Sequence, residues 1–336
     1  MKFLQYLGCG LAAAVLAIGI NACNKTPEAV TTAPTPAVSM TSESMMGNHG
    51  KKININNAIL SELDKLEAKL GVPALSGKIQ SSRPYAKTEE LVSKKVIDRA
   101  QYDQIQEMVT IEDVVLTGEA KDVDYMTKLG LMKGHLLVAK ELLDLKQVAQ
   151  AEPHIGHPVE EIYADVEDQL KERKVPEFKT PLISLLDLVK AGAKDSTKVN
   201  TNFTASMKSV DGAIAILPVT QRTSSKFALQ IINGLLDTAN SEYKAAIANG
   251  KIAQVVEYQD SRGFVTYANE LYKAIAPQLK KDRPAAATAI GTSLADLTKV
   301  WPAPIAPATP VKTPEEVTKL IKAIESEAQK IAKSAA

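Results

Sequence analysis

From about Asp122 to the C-terminus, apolar residues recur every three or four positions, a spacing that restricts the chain to packing helix against helix. The periodicity predicts helices over 124–148, 158–173, 179–193, 201–217, 222–249, 251–276, 284–300 and 313–334. Pro176, Gly192, Pro218, Gly250 and the run from Pro302 to Pro310 supply the breaks between them. The expected fold class is all-α, with an antiparallel multi-helix bundle over 120–336. A chain that is 45% hydrophobic but only 4% aromatic and rich in Ala, Leu, Lys, Glu and Ile fits that expectation.

Within this region the stretch Gly134 to Tyr163, GHLLVAKELLDLKQVAQAEPHIGHPVEEIY, gathers three of the four histidines beside a group of carboxylates. Leu131, Leu136, Val138, Ala139, Leu142, Leu143 and Leu145 give it a buried helical face on which His135 rides. Pro153 and Gly156 are expected to break that helix, and Pro158 to open the next, where its missing N–H is no loss. His157 then stands at the cap, with Glu161 four residues on and on the same side. A helix-start imidazole and carboxylate joined by His135 would suit a transition metal. The competing reading has His154 and His157 merely capping a turn, with Glu160 and Glu161 favouring a helix N-terminus through its dipole. A tetratricopeptide-like pattern over 134–154 has no second copy at the required period, which excludes a solenoid.

Two later helices carry further acids. Glu257 and Asp260 in VVEYQDSRGFVTYANELYKAI are three apart and share a face amid Val255, Val256, Phe264 and Val265. Carboxylates beside buried surface need a partner. Arg262 could supply it as a bundle-locking ion pair; alternatively the acids join His135 and His157 around a metal. The expected metal set is thus His135, His157, Glu161, Glu257 and Asp260. The stretch YQDSRGF bears a faint resemblance to acidic Arg-Glu motifs of iron-permease-associated proteins, too slight to name a family.

The N-terminus resembles a bacterial lipoprotein signal over 1–22: Lys2, an apolar core from Leu11 to Ile20, then Ile20-Asn21-Ala22-Cys23. The resemblance implies lipidation of Cys23 and an envelope address, facing the periplasm or the cell surface, with the membrane as a partner through the anchor. Asn21 is more polar than such signals prefer, and cleavage by an ordinary signal peptidase is the alternative. Residues 23–50, rich in Thr, Pro, Ser and Ala, read as a flexible tether. Of the two cysteines, Cys9 would leave with the signal and Cys23 would carry lipid, so cysteine chemistry is excluded from the expected functions.

Residues 51–111 carry four segments in order: the ININNA opening, LGVPALSGKI, RPYAKTEELVSKKVI and AQYDQIQEMVTI. Together they resemble the helix-hairpin-helix domain of the ComEA class. The resemblance implies binding of the double-stranded DNA backbone, with Gly71, Lys78, Arg83, Lys94 and Lys95 as the contacting residues. The pattern departs from the class at Pro73, which stands in place of a hairpin glycine and has no N–H, and at Val96-Ile97-Asp98, which has no glycine. The expectation is therefore an envelope-anchored binding protein that serves DNA uptake, without catalysis or nucleophilic motifs. The alternative is a metal-binding (iron-type) or protein-docking lipoprotein using the His/Glu-rich helical domain, with a transition metal ion and an envelope protein as ligand and partner.

Overall fold

The computed structural model describes residues 38–40 and 52–333. These lie in one contact unit that begins at Ala37. The chain is mostly helical, as its periodicity requires. Strands β1 (Val38–Met40), β2 (Ile53–Asn54), β3 (Val109–Thr110) and β4 (Val114–Leu116) frame four helices, α1 (Leu60–Leu70), α2 (Leu75–Ser81), α3 (Glu90–Ser93) and α4 (Arg99–Ile105). β2 runs parallel to β3 with Ile53 opposite Val109, and β1 runs parallel to β4. This region closes around its own apolar cluster, which includes Ile55, Leu63, Leu66, Leu75, Ile79, Leu91, Tyr102 and Ile105. An Asp98–Gln101 capping box opens α4 by satisfying two backbone N–H groups reciprocally.

The long helix α5 (Gly118–Asp144) then runs through the centre of the molecule. Its apolar residues bury on almost every side, from Val123 and Met126 through Leu136 to Leu143, which is the pattern of a core helix and not of a surface one. After it come α6 (Val148–Ala151), α7 (Pro153–His157), a π-helical turn (Pro158–Ile162) and α8 (Tyr163–Glu172). Of the expected breaks, the one at Pro153 is only a turn at Glu152 between α6 and α7, and the one at Gly156 does not occur. Pro153 takes the first position of α7, where no N–H is needed, and the chain stays helical through Gly156 into the π turn.

Helices α9 (Lys179–Lys190), α10 (Ser196–Ala215) and α11 (Val219–Arg222) lead to a four-helix bundle of α12 (Ser225–Ala246), α13 (Val255–Asp282), α14 (Pro284–Thr298) and α15 (Pro314–Lys333). Each bundle helix packs on the next, and α15 packs back on α12. Between α12 and α13 the chain makes a small hairpin, β5 (Ile247–Ala248) with β6 (Lys251–Ile252), where the sequence pattern predicts helix up to 249 and again from 251, broken only at Gly250. Asn249 and Gly250 both adopt positive φ, as a tight hairpin turn demands. At the start of α15, Thr313 and Glu316 form a reciprocal cap, and Val317, Ile321, Ile324, Ala328 and Ile331 bury one stripe. α5 lies against both α12 and α13, and this packing brings the histidines to the bundle.

Candidate metal centre

α5 and α13 cross at two glycines. A Cβ on Gly263 would lie 2.2 Å from the Gly134 carbonyl oxygen, and one on Gly134 would lie 2.7 Å from Phe264 Cδ1. Only with both side chains absent can the backbones meet this closely. Beside the crossing, α5 presents His135 and α13 presents Asp260. α7 adds His154 and His157, three residues apart and therefore on one turn.

Three imidazoles thereby converge on one carboxylate. Asp260 Oδ1 lies 2.6 Å from His135 Nδ1 and 2.7 Å from His154 Nδ1, while Oδ2 lies 3.6 Å from His157 Nδ1. His135 and His154 are fully buried and Asp260 is 2% exposed. The His135 ring is wedged edge-on against Phe264 at 4.9 Å between centroids, and edge-on to His157 at 5.2 Å. Despite its closeness to Asp260, neither nitrogen of His135 makes an aligned hydrogen bond. A buried imidazole without hydrogen bonds bears a desolvation cost that a metal–nitrogen bond would remove.

His154 is oriented by a chain of amides behind it. Its Nε2 is 2.9 Å from Gln259 Oε1, and Gln259 Nε2 donates to Gln150 Oε1 at 2.7 Å and to the Pro304 carbonyl at 3.0 Å. Those two acceptors fix the Gln259 amide with its oxygen towards His154. The Nε2–H is therefore donated to Gln259, while Nδ1 is hydrogen-bonded to Asp260 Oδ1 at 2.7 Å through a proton whose place an ion would take. That is the support metal-ligating histidines ordinarily receive.

Burial would raise the Asp260 carboxyl, but His135 and His154 outweigh it and hold the group well below the usual carboxylate range. Burial pushes the His135 imidazole down, only partly offset by Asp260. For His157 burial acts downwards too, yet Asp260, Glu161 and Asp64 prevail and lift it to about 9.

Among the described residues, His135, His154 and Asp260 form a set whose ligand atoms all lie within 4.8 Å of one another, close enough to hold a metal ion. Metal–nitrogen and metal–oxygen bonds of about 2.1 Å separate neighbouring ligand atoms by about 3 Å. The contacts at 2.6 and 2.7 Å are shorter than that, so the cluster would have to open by a few tenths of an ångström to hold an ion.

Of the residues expected from sequence, His135 and Asp260 are thus in direct contact, and His157 stands at the edge with its side chain 28% exposed. Glu161 is half-buried on the π turn, where one oxygen accepts from the Leu60 N–H at the start of α1 at 3.1 Å. Glu257 is half-buried one turn before Asp260. Burial pushes both glutamates up. His154 was absent from the expected set; its signal was the spacing His154-x-x-His157, which on a continuous helix places both rings together. The Arg262 pairing is corrected. Its Nε and a terminal nitrogen grip Glu141 at 2.7 and 2.8 Å, and the other terminal nitrogen bonds the Trp301 carbonyl, so Arg262 neutralises neither Glu257 nor Asp260.

Comparison with known families gives one result: residues 218–335 match a family described as the iron permease-associated 4-helix bundle domain. The match covers about a third of the chain and spans the bundle α12–α15. It contains Asp260 and Gln259, whereas His135, His154 and His157 precede it. No curated protein and no solved structure matches the chain.

This result overturns the ComEA-type reading: the family-level likeness lies in the bundle and not in 51–111, and it concerns iron, not DNA. The residues concerned agree. Gly71 caps α1 with φ 64° and turns its N–H inward to the Glu67 carbonyl at 2.8 Å, leaving none for a phosphate. Arg83 donates to the carbonyls of Ile55 and Ala58 at 2.8 and 2.6 Å, and Lys94 donates to those of Ser82 and Pro84 at 3.0 and 2.5 Å. Lys78 and Lys95 are exposed, with no glycine-rich hairpin between them to hold a backbone phosphate. Helix-hairpin-helix DNA binding is therefore withdrawn as the function. Cys23 and the signal and tether lie outside the described residues. Among the described residues no helix is long and apolar enough to cross a membrane.

Proposed function

We propose that the chain is a non-catalytic metal-binding protein that holds a transition-metal ion, iron by the character of the matched domain, between His135, His154 and Asp260. We further infer that it works in the bacterial envelope beside a membrane iron permease, its partner, with the metal as cargo. The observation that carries the reading is the burial of two imidazoles around one carboxylate, with His135 lacking any hydrogen bond, at a helix of the domain that matches the iron permease-associated family. Two nitrogens and one carboxylate oxygen form a ligand set suited to Fe(II) and its neighbours in the transition series. No nucleophile or activated water is required for such a role.

The test is anaerobic titration of the purified protein with Fe(II), with metal content measured after desalting. Wild type should retain iron, and His135→Ala, His154→Ala and Asp260→Asn should each abolish retention while keeping the helical circular dichroism spectrum. Retention by all three variants equal to wild type would remove the assignment.

A further inference from the structure

Helices α1, α5, α12 and α15 enclose a cleft of about 1060 Å³, at the upper end of the range for ligand sites. Three contacts build it. Lys65 of α1 pairs with Asp237 of α12 at 2.7 Å, and Thr318 of α15 donates to Asn240 Oδ1 at 2.8 Å. α5 meets α12 where a Cβ on Gly234 would lie 2.9 Å from Thr127 Cγ2. The floor is α12, which lines the cleft from Gln230 to Lys244, a length of about 21 Å at about 1.5 Å per residue. Two amides on that floor lack partners. Gln230 is 2% exposed; its Nε2 donates to Glu119 Oε1 at 2.7 Å, which fixes the amide, yet its Oε1 accepts no hydrogen bond. Asn233, three residues on and on the same face, has a buried Nδ2 that donates none. Leaving both unmade is costly. A buried acceptor beside a buried donor is the complement of a peptide backbone, which carries an N–H and a C=O on each residue.

The charges divide along the same axis. α1 and α5 run the same way as α12, with Lys65 at Asp237 and Glu119 at Gln230, while α15 runs the opposite way from Lys312, whose carbonyl accepts from Tyr243. At the C-terminal end of α12, Lys65, Lys69, Lys244 and Lys322 of the lining therefore face only two carboxylates, Asp237 and Glu315. Burial pushes the Lys244 ammonium down, and Lys322 and Lys69 push it further, against Asp237 and Glu315. At the other end Glu62, Asp124 and Glu325 face Lys128, which Asp124 and Asp165 already hold at 2.9 and 2.7 Å. Lys52 and Glu107 of the lining pair with each other at 3.8 Å. A positive end and a negative end suit a ligand with opposite charges at its two tips. Among the described residues no aromatic side chain lines the cleft, so it lacks the platform on which bases stack.

We propose that this cleft binds a free oligopeptide in extended form, its backbone on Gln230 and Asn233, its carboxylate at Lys69, Lys244 and Lys322, and its ammonium at Glu62 and Glu325. At about 3.3 Å per residue, about six residues span the floor. The recognised groups are the backbone and the two termini, so the site tolerates many side chains. None of the cleft's residues belongs to the His135, His154 and Asp260 cluster. An ion at that cluster and a peptide between α1 and α15 are therefore two separate ligands of one chain.

The experiment is ultrafiltration of the full chain with a synthetic pool of randomised hexapeptides, in EDTA so that no metal–peptide complex contributes, with retained peptides quantified by mass spectrometry. Wild type should retain the pool with both termini free, and retention should fall about tenfold or more when the pool is amidated at its C-terminus or acetylated at its N-terminus. Lys244→Met and Asn233→Leu should each lower retention of the free pool by a similar factor with an unchanged circular dichroism spectrum. Should either variant unfold, the comparison of free and blocked pools on wild type decides alone. Retention no greater than in a protein-free filtrate would overturn the site. Equal retention of the amidated pool would remove the lysine end, and equal retention of the acetylated pool would replace a free peptide by the tail of a partner protein; either overturns the proposal. So would preferential retention of trigalacturonate, an acidic sugar of similar length, or free-pool retention unchanged in both folded variants.

Discussion

At the scale of single residues, the orientation of His154 depends on a side chain that touches no ion. Gln259→Leu removes the acceptor for His154 Nε2 and lets the ring choose its tautomer. Loss of such a partner typically costs 10–100-fold in metal affinity. A titration should therefore show weaker binding of that order with unchanged stoichiometry; unchanged affinity would mean that packing alone holds the ring. Asp64 offers a second check. Burial lifts its carboxyl to about 7, above its unfolded value of 3.8. The folded state thus holds this proton more tightly, so the group's contribution is favourable below its unfolded value and is lost as pH rises from about 4 to about 7. Apo-protein melting temperature should fall across that window, and the fall should be shallower in Asp64→Asn, which cannot ionise. Parallel profiles would assign the pH dependence to the other carboxyls that burial raises, Glu161, Asp165 and Glu257.

At the scale of elements, the α5–α13 crossing sets the reach between His135 and Asp260. Gly263→Ala introduces a methyl 2.2 Å from a backbone oxygen, an overlap that no rotamer change relieves. Overpacking of this kind costs about 1–3 kcal/mol. Chemical denaturation should show a loss in that range or larger, and metal affinity should fall with it because the helices part at the site. A neutral substitution would show that the crossing has slack. The same elements show what sequence can and cannot disclose. The spacing of Leu136, Val138, Ala139, Leu142 and Leu143 marks α5 as a helix because burial repeats at the helical period. The joint from α6 to α8 is opaque for the opposite reason. Pro153, Gly156 and Pro158 are all residues that end helices elsewhere, and only tertiary packing keeps them helical here. Reading a turn at that joint separates His154 from His157, and so loses a ligand.

At the scale of the whole molecule, residues distant in sequence make the site. Asp260 meets His154 across 106 positions, and Arg262 meets Glu141 across 121. No local spacing reveals either pairing, which is why an acid four residues from an imidazole, Glu161 after His157, can be noticed in the sequence while the partner of Arg262 cannot. The small-helix region over 51–111 misled differently, because its hairpins resemble a nucleic-acid module while their donors are consumed by the chain's own carbonyls. Long-range assembly also means that an ion held there would bind the native state and find no site in the unfolded one. At a free metal concentration a hundred times Kd, this linkage adds about 2.7 kcal/mol to stability. Thermal melts should rise with added Fe(II) or Co(II) in wild type and stay flat in Asp260→Asn.

The sealing of His135 and His154, neither with any surface open to water, has a kinetic corollary. An ion at that depth departs only when the helices around it breathe, so escape should run at the pace of that opening and not at the pace of solvent exchange. Transfer to a competing chelator should then level off at a constant rate however much chelator is supplied, a behaviour suited to keeping a reactive metal out of circulation until a handover occurs.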